Sequence, residues 1–180
     1  MKRIILTERD NKIIEFLNNY KCAYTSTICN LFFNGSLRPC NRRLKQLREH
    51  GFIKSSQEYV SVEKIHYINK KPSQLKHSCI CSQFATYMKV NNNILKEKIE
   101  YKIGNIRCDL LLITDEPKIF LIEICNTKPF DLNKYIKLKN SLEWKKVFPV
   151  FPTIIVISDK PVKKSNELNI IKYNLKLEKE

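Results

Sequence analysis

Glycine is scarce, with three in 180 residues. A loop that cradles phosphates needs several at fixed spacing, so nucleotide hydrolysis through a P-loop is excluded. Long apolar runs are missing as well. The longest, Leu110–Ile113 and Ile154–Ile157, are strand-sized, far short of the roughly 20 residues of a membrane span. The opening stretch Met1-Lys2-Arg3-Ile4-Ile5-Leu6-Thr7-Glu8 becomes charged too soon for a secretory signal. No basic amphipathic segment reads as a membrane anchor. The expectation is a cytoplasmic protein without a membrane partner. Cysteine is not scarce, but its pattern lacks order: seven residues at 22, 29, 40, 79, 81, 108 and 125, with no C-x-x-C pair. An odd count in a non-secreted chain points to reduced thiols rather than a disulfide framework. Cys79-x-Cys81 beside His77 is too cramped for a tetrahedral zinc site and lacks a second ligand pair.

Acidic residues are also in short supply. Eighteen Asp+Glu face 33 Lys+Arg, a net charge of +15. Such a surplus favours nucleic acid, because phosphate contacts release counterions. A lysine-rich solvated surface would give the same total, so distribution matters more. Six of the seven arginines precede residue 50, and Arg38, Arg42, Arg43 and Arg48 fall within one expected helix. Arginine's fork suits both phosphate and guanine. A 43% hydrophobic content is enough for a buried core.

Residues 1–72 read as one unit. Thr7 caps a helix with Asp10 reaching back, and Ile13, Ile14, Phe16 and Leu17 form its apolar face. Thr25 is the expected cap of a short second helix carrying Ile28, Leu31 and Phe32, broken at Asn34-Gly35. Ser36 is the expected cap of a third, with Pro39 in its first turn and Gly51 just past its end. At 100° per residue, Leu37, Cys40, Leu44 and Leu47 fall within an arc of about 80°, and Arg38, Asn41, Arg42 and Lys45 fall on another. Strand-like stretches follow at Phe52–Val60 and Lys64–Asn69. Three helices and a two-stranded ribbon describe a winged helix-turn-helix, with the third helix in the major groove and the ribbon on the backbone. Ser36, Arg38, Asn41, Arg42, Lys45, Arg48 and Lys54 are the candidate residues for double-stranded DNA. A helical bundle with one basic helix is the bland alternative.

Lys70-Lys71-Pro72-Ser73 reads as a linker into a second unit, 73–180. A helix is expected from His77 to about Ile94, with Ile80, Phe84, Tyr87 and Met88 inward. Strands are expected at Ile99–Ile103, Ile106–Thr114 and Lys118–Cys125, with Asp115-Glu116-Pro117 as a turn. A helix at Leu132–Leu142 and strands at Thr153–Ser158 and Asn169–Leu175 complete an α+β chain. Trp144 and the Phe148–Phe151 stretch would cover the sheet or a partner surface.

Asp109 and Glu123 interrupt otherwise apolar strands. Buried acids are costly unless paired, protonated or metal-bound. On adjacent strands they can converge and hold Mg²⁺, which would activate water for phosphoryl chemistry. Merely hydrogen-bonded strand acids are the plainer alternative. His66, in a strand of Ile and Tyr, reads as packed or exposed rather than catalytic. His77 opens a helix and serves local hydrogen bonding. Cys125 has no histidine near it in sequence to make it a nucleophile.

The order helix, three strands, helix, strand, with "IRCDLLLI" and "KIFLIEI" carrying Asp109 and Glu123, resembles the restriction-endonuclease-like PD-(D/E)XK core. With "LTERDNKIIEFL", "LFFNGSLRPCNRRLKQLREHGFI" and "HSCICSQFA", residues 7 to about 158 resemble the replication-relaxation family of plasmids and mobile elements. That resemblance implies a winged helix joined to a nuclease-like α/β domain, acting in replication, relaxation or their regulation. Where an active nuclease of this type has lysine, this chain has Cys125. Lys128 is near, but its parity puts it on the other side unless Asn126–Pro129 bends the strand. Lys134 or Lys137 of the next helix could substitute, and Lys134-Tyr135 resembles the helix residues that sometimes contribute to such a site. An inactive nuclease-like core, needing no cofactor, is the expectation. Three readings stay open: a DNA-binding protein, an Mg²⁺-dependent endonuclease using Asp109 and Glu123 with Lys128, and an adaptor that forms a homodimer or docks on a replication or transfer protein.

Overall fold

The first helix is set by a local exchange of hydrogen bonds. Thr7 Oγ1 accepts from the Asp10 N–H at 3.3 Å, and Asp10 Oδ2 accepts from the Thr7 N–H at 2.7 Å. This capping box satisfies two donors that a helix start leaves without partners. Helix α1 (Glu8–Tyr20) then buries Ile13, Phe16, Leu17 and Tyr20. The computed structural model describes residues 4–116 and 118–179. Met1-Lys2-Arg3, and Pro117 of the expected turn, therefore lie outside the described residues.

Strand β1 (Cys22–Tyr24) leads directly into α2 (Thr25–Phe33). Thr25 is not the cap. Tyr24 holds the N-cap position, and Thr25 is the first helical residue. Its hydroxyl lies instead 3.3 Å from the Lys64 carbonyl and 3.0 Å from His66 Nε2. Asn34 ends α2 in a left-handed conformation, φ 49°.

Ser36 occupies the N-cap of α3 (Leu37–Glu49), but its side chain makes no capping bond. Its carbonyl starts the helical ladder by accepting from the Cys40 N–H at 3.3 Å. Cys40, Leu44 and Leu47 are buried as their spacing requires, each leucine stabilising the fold by about 2 kcal/mol. Leu37 departs from the stripe at 56% exposed. It lies in the first turn and lines a groove with Thr25 and Ser26 instead of entering the core. Gly51 takes φ +77° past the helix end. Its N–H donates to the Arg48 carbonyl, and the Phe52 N–H donates to the Leu47 carbonyl at 2.9 Å. That pair of bonds is a Schellman stop.

Strands β2 (Lys54–Ser56) and β3 (Ile65–Tyr67) are shorter than the sequence suggests. The loop between them closes on itself: Gln57 Nε2 donates to the carbonyls of Val60 and Val62, and the Val62 N–H donates to Tyr59. The resulting antiparallel sheet has order β1-β3-β2, with His66 opposite both Ala23 and Ser55. Helix α4 (Leu75–Asn91) buries Cys79, Ile80, Phe84 and Met88. Tyr87, expected inward, is 41% exposed.

The chain divides into two compact units, Met1–Asn91 and Asn92–Glu180. Helix α4, which the sequence reading puts at the head of the second unit, falls in the first, where it packs on β1 and α2. The second unit is a five-stranded sheet of order β4-β5-β6-β7-β8. Its strands are β4 (Ile94–Ile103), β5 (Ile106–Thr114), β6 (Ile119–Ile124), β7 (Thr153–Ile157) and β8 (Ile170–Tyr173). The first three run antiparallel, and β7 and β8 add in parallel. Parallel pairing of β6 and β7 demands a crossover. It is supplied by α5 (Leu132–Ser141), a short 3₁₀ turn at Glu143–Lys146, and the Val147–Pro152 segment. Leu111, Leu121, Tyr135, Leu138, Trp144, Phe148, Ile154 and Val156 form the core of this unit. The chain is thus α+β, with one three-stranded and one five-stranded sheet. Among the described residues no helix is long and apolar enough to cross a membrane.

Candidate functional site

In the first unit, α3 sorts its polar residues by position around the helix. Arg38, Asn41, Arg42 and Lys45 are exposed, as is Ser36 just before them. Lys45 makes a long contact, 3.8 Å, with Glu49 on the same helix. Two residues expected beside them turn toward the ribbon. Arg48 Nη1 donates to Ser55 Oγ at 3.3 Å, and Lys54 Nζ donates to the Asn69 carbonyl at 2.8 Å. Arg43 faces the other way. Its Nε donates to Asp10 Oδ1 at 2.9 Å, its Nη2 to Asp10 Oδ2 and the Ile5 carbonyl, and its Nη1 to Gln46. Burial would raise the Asp10 carboxyl, but the bonds from Arg43 and Thr7 outweigh it and hold it down at about 2. The arginines of α3 are therefore divided: one builds the fold and two stand on the outer face.

Between α3 and the β2–β3 loop lies a groove of about 700 Å³, lined by Ser26, Asn41, Lys45, Arg48, Glu63 and His66 among others. Glu63 Oε1 and Oε2 accept from the Ser26 N–H and hydroxyl, so this acid anchors the loop to the start of α2. His66 is 2% exposed, and its Nδ1 has no partner among the described residues. Burial, aided by Arg48 and Lys64, lowers its pKa to about 4. It is packed and neutral, in keeping with a structural role.

In the second unit the two acids are brought together. The β5–β6 ladder ends at Leu110 opposite Ile122, and one further step sets Asp109 opposite Glu123 on the same face. Beyond that point Asp109 Oδ2 accepts the Ile124 N–H at 2.7 Å, a backbone bond that the ladder no longer supplies. Asp131 caps α5 by accepting from the Lys134 N–H at 3.2 Å. The first turn so fixed delivers Lys134 Nζ and the Tyr135 hydroxyl to Glu123 Oε1, the latter at 2.6 Å. Lys134 Nζ also donates to the Arg107 carbonyl. Burial raises the Glu123 pKa, against the opposing pull of Lys134 and Tyr135. Burial also pushes the Cys125 thiol up to about 11, with Glu123 and Asp109 adding to it, so it is no nucleophile at neutral pH.

Lys128 is exposed in the segment after β6, and Lys137 is exposed on α5. The lysine that reaches Glu123 is Lys134, because a helix start facing the strand ends projects its first turn inward while residue 128 lies on the connecting loop. Asp109 and Glu123 are the two carboxylates that would hold Mg²⁺, and each is already hydrogen-bonded. One carboxylate already neutralises an ammonium and the other satisfies a backbone N–H. Among the described residues no group of three or more His, Cys, Asp and Glu converges on a common point. Tyr135 is the site residue least legible in sequence: a buried aromatic of α5 whose only signal is its place next to Lys134.

No protein-family model and no curated protein matches the chain. Two solved structures are similar at low level. A repair endonuclease from Pyrococcus abyssi aligns at 12% identity and TM-score 0.33, over 59% of this chain and 55% of that one. A protein from Vibrio cholerae aligns at 16% identity and TM-score 0.38, over 90% of this chain and 48% of that one. The chain spans about half the length of each. The likeness to the replication-relaxation family rests on the sequence motifs quoted above.

Proposed function

We propose that the first unit is a winged helix that binds double-stranded DNA, with α3 in the major groove. The order α1-β1-α2-α3-β2-β3, with its sheet ordered β1-β3-β2, supports that reading. The observation that carries it is the partition of α3. Arg38, Asn41, Arg42 and Lys45 face outward while Cys40, Leu44 and Leu47 are buried and Arg43 is diverted to Asp10. Arginine can read guanine and asparagine adenine through paired hydrogen bonds. On this reading Arg48 and Lys54, hydrogen-bonded to Ser55 and to the Asn69 carbonyl, contact phosphate as well. The test is fluorescence anisotropy of the full chain with labelled duplex and single-stranded DNA. Duplex binding in the micromolar range or tighter, weakening steeply with salt, is expected. No duplex binding at about 50 mM salt would contradict it. A role in plasmid or mobile-element replication, relaxation or their regulation is proposed on the sequence resemblance, with the second unit as a nuclease-like core that serves docking or homodimer contact.

An endonuclease reading has one observation in its favour. Lys134 brings an ammonium to Glu123 beside Asp109, restoring in space the lysine absent at position 125. Supercoiled plasmid incubated with the protein and Mg²⁺ or Mn²⁺ decides between the two readings. An inactive core leaves the plasmid intact, whereas nicking that Asp109→Ala and Glu123→Ala both abolish supports the enzyme.

A further inference from the structure

The first unit holds a pair of thiols that neither DNA binding nor the carboxylate site uses. Cys22 of β1 and Cys79 of α4 stand 57 residues apart in sequence, with their sulfurs 3.4 Å from each other. Both side chains are fully buried. Each comes from a different, mutually packed element, so the contact is tertiary and not an accident of local sequence. Cys22 Sγ also points at the Leu75 carbonyl, 3.7 Å away, in the first turn of α4. Ser73, Gln74 and Lys76 around it are exposed, and the first N–H groups of a helix have no intrahelical acceptors, so this end frays first.

The geometry points to Cys22 and Cys79 as a peroxide-sensitive pair that closes into a reversible disulfide. The Cys22 thiolate attacks one peroxide oxygen, the O–O bond breaks, and hydroxide leaves and takes up a proton to become water. The product is a sulfenic acid on Cys22. The Cys79 sulfur then attacks the Cys22 sulfur, the S–O bond breaks, and a second water leaves with the Cys79 proton. Two thiols and one hydrogen peroxide give one disulfide and two waters. The sulfurs need approach by only about 1.4 Å to reach bonding distance. The hydrogen bond from the Cys79 thiol favours the Cys22 thiolate, which supports this order of attack.

The link would fasten α4 to β1, the strand beside β3, and leave the outer face of α3 untouched. It closes a long loop of the unfolded chain, so it stabilises the first unit by restricting that chain. The inference stands independently of DNA binding. It is tested on the 180-residue chain, reduced and then exposed to hydrogen peroxide, with free thiols alkylated in denaturant before mass spectrometry. A loss of about 2 Da with five alkylated cysteines, and a Cys22–Cys79 linked peptide in the nonreduced digest, is expected. The melting temperature of the first unit should rise by about 5 °C or more, fall back with dithiothreitol, and duplex affinity should stay within about twofold. Cys79→Ala should remove the mass loss and the shift together. Seven alkylated cysteines, a Cys29–Cys40 link instead, or a stable sulfinic acid on Cys22 would each overturn it. The peptide map reads the wild-type chain directly, so failure of the variant to fold does not blunt the test.

Discussion

Arg43 of α3 grips Asp10 of α1 with two guanidinium nitrogens, Nε at 2.9 Å from Oδ1 and Nη2 at 2.5 Å from Oδ2. The same carboxylate caps α1 through the Thr7 N–H and hydroxyl. One buried acid thus fixes the start of the first helix and the rotation of the third. With α3 held in that rotation, Arg42 and Lys45 are exposed.

Asp10 makes stability depend on acid pH. Its carboxyl titrates at about 2 in the fold and near 3.9 in an unfolded chain. The depressed value contributes stability that is complete above about pH 4 and lost as pH falls toward 2, about 2 kcal/mol in all. Urea denaturation across that range should show the loss, and Asp10→Asn should flatten this part of the profile. Asp10→Ala should cost about 3 kcal/mol at neutral pH, since it leaves Arg43 without its partner.

His66 gives a second window. Its pKa is about 4 in the fold against about 6.5 unfolded. The unfolded chain binds the proton first, so stability falls as pH drops from about 6.5 to 4, by about 3 kcal/mol. His66→Phe should remove that slope in chemical denaturation of the first unit. A slope that survives the substitution would place its origin elsewhere.

Lys134 and Glu123 offer a third test. Lys134→Met removes the ammonium from a half-buried carboxylate and leaves Tyr135 as its remaining donor. A destabilisation of about 2 kcal/mol at neutral pH is expected. The Glu123 carboxyl, already raised by burial, should titrate higher still in carbon NMR. An acid raised in the fold costs stability as it ionises, so the deficit should shrink below about pH 4.

Sequence periodicity carried most of the fold. α1, α3, β5 and β7 are long or apolar enough for their period to show, and β5 spans Ile106–Thr114 as read. β1 is too short to show any period, and the loop 57–64 folds back through Gln57 where β propensity suggests longer strands. Helix α4 lies in the first unit because its apolar residues meet β1 and α2, a choice of partner that no linker composition reveals. Of the sites, the outward arc of α3 was legible from spacing alone. The diversion of Arg43 was not, because the acid it meets lies 33 residues away. Lys134 and Tyr135 were legible only as candidates, since the crossover geometry decides which lysine faces Glu123.

The most direct measurement is the salt dependence of duplex binding for the wild type, Arg42→Ala/Lys45→Ala, and a Lys137→Ala control on the second unit. The double variant should bind more than tenfold more weakly near 0.1 M salt. Its plot of log affinity against log salt should be shallower by nearly two if both side chains meet phosphate, and by less if Arg42 reads a base. Lys137→Ala should match the wild type. Equal affinity and slope for the double variant and the wild type, with circular dichroism showing both folded, would contradict DNA recognition by α3.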